Sequence, residues 1–227
     1  MSSVLKRKKK PMEPLGYTKK EMILISSLSK EKRDREDIIC ESYLNLKLIA
    51  YQILHDKFGF GQKRITRVDN TIDAYLKSKA EGKVSADGME RFLKEKCDID
   101  VSKEANMVPF REQFYLLCEK VEPASMRSAG IWLNASIINI FTLLGVCLKT
   151  QFKFSARQIR EVYEHIRSYI NTLSNYKRYE LKIEDIAESV AEECKYFDRR
   201  FVGGTNGKQT QVIRVRRNDF IHSAKFR

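Results

Sequence analysis

Four side chains in the first half of the chain, Gln62, Lys63, Thr66 and Arg67, fall at the spacing of one exposed helix face, and all carry hydrogen-bond donors. Lys and Arg donate to guanine O6 and N7 and a Gln amide pairs with adenine, so the set has the chemistry to read base edges. Ninety-four positions later stand Ala156, Arg157, Arg160 and Glu161, where Arg157 and Arg160 keep the cationic character. The solvated face of any amphipathic helix uses the same residue types, and each of these side chains taken singly is more simply read that way.

Catalytic chemistry finds less support. Asp69 and Asp73 share a helix face at i, i+4, but Tyr163 and Arg167 stand 94 positions on, so no carboxylate pair recurs. Glu184, Asp185, Glu188, Glu192 and Glu193 read as a solvated face. His55, His165 and His222 show neither metal-ligand spacing nor a companion nucleophile. No G-x-x-x-x-G-K-S/T loop occurs, and Gly59 and Gly61 lie in an aromatic turn rather than a phosphate cradle. The expectation is a chain that is not an enzyme and takes no metal or cofactor. Cys40, Cys97, Cys118, Cys147 and Cys194 are odd in number and lack C-x-x-C spacing, which fits reduced, buried thiols in a cytoplasm.

The elements that must position these side chains are written twice. A shift of 94 residues matches Leu54 with Leu148, Phe58 with Phe152, Phe60 with Phe154, Ile65 with Ile159, Val68 with Val162, Ile72 with Ile166 and Tyr75 with Tyr169. It also matches Arg33 with Arg127, Ser42 with Ser136 and Asn45 with Asn139. Most of these identities are apolar and lie on one helix face, so the repeat preserves a core. Farther on the shift becomes 97, pairing Met89 with Ile186, Leu93 with Val190 and Cys97 with Cys194.

Helix, tight turn and helix in this arrangement resemble a helix-turn-helix. With Gly59 in the ninth place, Leu54, Phe58, Phe60, Ile65 and Val68 fill the apolar positions; Leu148, Phe152, Phe154, Ile159 and Val162 fill them in the second copy. Two departures stand out. The fifth place, normally Ala, is His55 or Lys149, and Lys153 replaces the turn glycine, where a positive φ is costly. The resemblance implies that the helix after each turn is a recognition helix lying in a major groove.

The expected fold is all-α: two duplicated helix-turn-helix-like three-helix units joined by a linker helix. Residues 1–16 form a basic arm, 17–98 the first unit, 99–126 a linker with a helix, 127–198 the second unit, and 199–227 a basic tail or small hairpin. Thr18 through Glu21 has capping-box form, and a charged stretch from Ser29 to Asp37 leads into a helix over about 37–56. Further helices are predicted over about 61–80, 86–97, 127–150, 156–174 and 183–196. Met107, Phe110, Phe114, Leu117 and Cys118 give the linker its helical spacing. Ser155 and Gln158 form a second capping box.

The net charge of +13 is carried by the ends. Residues 1–35 hold eleven Lys/Arg against four acids and residues 199–227 eight against one, so the middle is nearly neutral. Basic ends on a neutral body suit a polyanion, because neutralised phosphates release condensed counterions. Lys6, Arg7, Lys8, Lys9 and Lys10 would lie along a backbone or enter a groove, and Arg199, Arg200, Arg214, Arg216 and Arg217 would add phosphate contacts. Lys-rich ends that serve solubility alone are the plainer alternative. The basic run meets Pro11 and Pro14 without an apolar stretch, so no signal peptide is expected. Ala129 to Leu148 carries no charge and is long enough to span a bilayer, but its counterpart at 35–54 is amphipathic. A buried core helix without membrane contact is the expectation.

The string from Leu54 to Arg64, LHDKFGFGQKR, resembles one in small helical proteins of phages and mobile elements of Gram-positive bacteria. That resemblance implies such an origin, with DNA-binding regulators and inhibitors of host defence nucleases as the two role classes. A non-enzymatic regulatory protein binding DNA or RNA is the leading expectation. The alternative is a protein–protein inhibitor of a host nuclease or ribonucleoprotein, acting at its nucleic-acid channel. The location would be cytoplasmic, or nuclear in a eukaryote.

Overall fold

The computed structural model describes residues 19–107, 114, 116–118, 121–174 and 182–198; within its first helix, side chains are described at 26 and from 29 onward. Among these residues there are seven helices and no strand: α1 (Lys19–Phe58), α2 (Gln62–Ala80), α3 (Ala86–Cys97), α4 (Val101–Asn106), α5 (Met126–Phe152), α6 (Ala156–Ser174) and α7 (Ile183–Cys194). The chain is all-α, as its composition and periodicity predict. The capping hydroxyl of Thr18, the arm over 1–16 and the tail or hairpin over 199–227 lie outside the described residues.

One boundary differs from expectation. α1 is a single helix of 40 residues, with the charged stretch from Ser29 to Asp37 inside it. No Gly or Pro interrupts residues 19–58, and Lys, Arg and Glu are good helix formers, so alternating charge does not break the helix. The stretch is also tied down, since the buried Asp34 carboxylate accepts from the Ala124 N–H at 2.9 Å. The linker carries a helix, as its spacing predicts, and Phe114, Leu116 and Leu117 are also helical. α4 is only six residues long and Met107 is half exposed, although Phe114, Leu117 and Cys118 are buried.

α1 and α5 form the central crossing. Ser42 and Ser136 are both fully buried there, and their small side chains let the helices approach; Ser136 Oγ donates to the Ile39 carbonyl across the contact at 3.4 Å. Every residue from Ile140 to Leu148 is buried, so the second half of the uncharged stretch of α5 is covered by protein on all sides, while Ile131 near its start is exposed. α2, α3 and α4 pack on α5, while α6 and α7 pack on α1. The helices that follow each long helix thus lie mainly across the other one. The buried residues form one continuous cluster.

Positions related by the two sequence shifts adopt the same backbone. α2 and α6 are each 19 residues long, and α3 and α7 each 12. Gly59 and Lys153 take φ of 63° and 59°, and Asp98 and Lys195 take 51° and 52°. The Phe60 N–H donates to the Leu54 carbonyl at 3.0 Å, and the Phe154 N–H to the Leu148 carbonyl at 3.1 Å, each closing the left-handed end of a helix. Lys153 therefore adopts the left-handed conformation that its side chain disfavours by roughly 1–2 kcal/mol.

Candidate nucleic-acid interface

The candidate face begins at two turns that meet. The Phe58 and Phe154 ring centroids are 5.4 Å apart, Phe60 and Phe152 4.9 Å, and Phe60 and Phe154 5.9 Å. The 94-residue shift converts the first pair into the second and maps the third onto itself, so the four rings surround a local quasi-twofold axis. The fifth-place residues, which depart from the usual Ala, hold these turns. His55 Nδ1 lies 3.0 Å from the Phe60 carbonyl oxygen, and Lys149 Nζ donates to the Phe154 carbonyl at 3.4 Å. Nitrogen donors at that place satisfy a carbonyl just beyond the turn, which Ala could not do.

From this centre α2 runs outward with Ile65, Val68 and Ile72 buried and Gln62, Lys63, Arg64, Thr66, Arg67 and Asn70 exposed. With the C-terminal end of α5 this face forms an open groove of about 430 Å³, lined by Lys63, Thr66, Arg67, Asn70, Thr71, Ala74, Tyr75 and Gln151. Arg67 is held in place: one guanidinium nitrogen donates to Gln151 Oε1 at 2.9 Å, and its carbon stands 5.5 Å from the Phe152 ring centroid. Arg64 stands likewise 5.5 Å over Phe60. A guanidinium has five N–H donors, so Arg67 anchored by one retains others for a ligand. Beneath the groove, burial pushes the Cys147 thiol up to about 12 against the opposing influence of Thr71 and Arg67, so it stays protonated and inert at neutral pH.

The α6 face differs. Arg157 is exposed and makes no hydrogen bond or ion pair among the described residues. Arg160 is engaged within the fold, where its guanidinium donates to the carbonyls of Cys97 at 3.3 Å and Asp98 at 2.7 Å and lies 3.8 Å from the Asp98 carboxylate. It thereby caps the end of α3. Glu161 and Glu164 occupy the exposed surface farther along α6. The structure thus gathers Gln62, Lys63 and Arg67 on one face and places Arg157 and Arg160 elsewhere. Lys6, Arg7, Lys8, Lys9, Lys10, Arg199, Arg200, Arg214, Arg216 and Arg217 lie outside the described residues.

Behind α2 lies a buried polar network that periodicity does not reveal. Asp69 Oδ1 accepts from Lys47 Nζ and from the Tyr51 hydroxyl, both at 2.7 Å, and from the Tyr196 hydroxyl at 3.4 Å. Burial works to discharge Lys47, but Tyr196, Tyr43 and Asp69 around it hold its ammonium above the ordinary range. Burial also pushes up the Asp73 carboxyl, with Lys47 opposing. At the matching place in the second copy Tyr163 stacks on Phe141 with centroids 4.4 Å apart, and its hydroxyl donates to the Phe141 carbonyl. Gly145 makes room for it, since a Cβ there would meet the Tyr163 hydroxyl at 2.1 Å. The ring filling this space comes from the first helix in one copy (Tyr51) and from the second in the other (Tyr163). Lys47 with an acid 22 residues on is the signal that could have found the network.

Comparison of the chain with known protein families, with curated proteins and with solved structures gives no match.

Proposed function

We propose that this chain is a non-enzymatic nucleic-acid-binding protein of regulatory role, built from two duplicated helix-turn-helix-like units, with the exposed face of α2 as its reading surface. The observation that carries this is the open groove in which Lys63 and a pre-positioned Arg67 converge beside Thr66, Asn70 and Gln151. Fixed guanidinium and mobile ammonium donors on one helix face suit phosphates at the rim and base edges within. The basic ends of the sequence add unspecific attraction to the same polyanion.

The two copies do different work in this reading. The rings of Phe60 and Phe154 are 5.9 Å apart and each is two residues from its helix start, so α2 and α6 begin less than about 30 Å apart. With Arg160 engaged on α3 and acids along its exposed surface, α6 is the structural counterpart that seats the first turn.

Fluorescence anisotropy of labelled duplex DNA and single-stranded RNA against protein, over a salt series, tests the proposal. Binding should weaken steeply and linearly in log Kd against log salt. No binding below about 10 μM at low salt contradicts it, because even unspecific binders reach that range; the inhibitor reading would then take precedence.

A further inference from the structure

His55, Asp56 and Glu193 come from positions that no sequence spacing connects, yet one ligand atom from each lies within 4.8 Å of the others. His55 Nε2 is 3.2 Å from Glu193 Oε2. Its other ring nitrogen, Nδ1, is 3.0 Å from the Phe60 carbonyl oxygen, which has only lone pairs to offer, so Nδ1 carries a proton and donates it. In the neutral ring, Nε2 then turns a lone pair toward a carboxylate. A cation between the two groups, a proton or a metal ion, satisfies both.

Gln52 is the second observation. It is 5% exposed, and its Nε2 reaches Asp56 Oδ1 at 2.8 Å and Glu193 Oε2 at 3.3 Å, holding the two carboxylates together. Its buried Oε1 has no hydrogen-bond partner.

We infer that His55, Asp56 and Glu193, with the Gln52 amide holding the two carboxylates in place, form a site for a divalent transition-metal ion that fastens α7 to the end of α1. One imidazole with two carboxylates suits Zn²⁺, Co²⁺ or Mn²⁺ better than Mg²⁺. A histidine whose far nitrogen donates to a backbone carbonyl is oriented as metal-bound histidines usually are. The ion would also steady the first turn, because His55 holds the Phe60 carbonyl.

Tag-free protein stripped with chelator, then titrated with CoCl2 and ZnCl2 beside MgCl2, tests the site by visible absorption and thermal unfolding. One equivalent of Co²⁺ should give d–d bands without a thiolate charge-transfer band, and Zn²⁺ in hundredfold excess over Kd should raise Tm by about 5–10 °C. His55→Gln and Glu193→Gln should each abolish both effects, while Glu192→Gln keeps them. Asp56→Asn, at an exposed position, supplies the same readout should either variant fail to fold. No Co²⁺ spectrum at about 100 μM ion, a thiolate band, or binding retained in the variants overturns the inference. So does stabilisation by acid alone, which would place a second proton on His55 where the metal is assigned.

Discussion

Asp69 receives three donors, two from α1 and one from the segment after α7, and the Lys47 beside it is only 8% exposed. Removing one partner of such a pair strands the other charge, so Asp69→Ala should destabilise by about 3–5 kcal/mol in urea unfolding; a loss below about 1 kcal/mol would mean that the pair is solvated. Gly145→Ala should cost about 1–3 kcal/mol, because the added Cβ meets the Tyr163 hydroxyl, and Tyr163→Phe in the same chain should return part of it. Stability should also fall in alkali. Lys47, Tyr43, Tyr51 and Tyr163 are all held above their ordinary ranges and Cys147 is pushed up to about 12, so the folded chain keeps protons that the unfolded chain releases from about pH 8.5 upward. The urea midpoint should hold between pH 7 and 8 and drop between about 9 and 11. Gln62, Lys63 and Arg67 are legible as an exposed face because periodicity alone marks Ile65, Val68 and Ile72 as the inward side. The role of Arg160 is not, because the carbonyls that engage it belong to residues 62 and 63 positions earlier.

The helix starts and stops show where local chemistry suffices. Ser155 and Gln158 exchange both capping-box bonds, Ser155 N to Gln158 Oε1 at 2.9 Å and Gln158 N to Ser155 Oγ at 3.3 Å, as their spacing predicts. The continuity of α1 through residues 29–37 departs from the expected break because charge alone does not end a helix; Gly, Pro or a competing cap does. Gly59 and Lys153 offer a matched experiment on the turns. A Cβ at Gly59 meets nothing within 4 Å, so Gly59→Ala isolates the backbone term and should destabilise by about 1 kcal/mol. Lys153→Gly should change stability in the opposite direction by a similar amount. Equal and negligible effects at both sites would contradict the left-handed geometry that the two turns share.

At the scale of the whole molecule, the duplication is legible as an apolar frame, but its consequence in space is not. Pairing of residues 94 apart says that two helices match; it does not say that α2 and α3 lie on α5 while α6 and α7 lie on α1. That exchange depends on the aromatic turns packing against each other, a contact between distant parts of the chain that no periodicity encodes. It makes one body with unlike faces, basic along the start of α2 and mixed in charge along α6, where Glu161 and Glu164 stand beside Arg157 and Arg160, and nucleic-acid binding should follow that asymmetry. The most direct measurement compares salt-dependent anisotropy titrations of the unaltered chain, Lys63→Ala/Arg67→Ala and Arg157→Ala. The α2 variant should lose tenfold or more in affinity and show a shallower salt slope, while Arg157→Ala stays within about twofold. Equal losses from both variants, or no loss from either, would contradict the assignment of α2 as the reading surface.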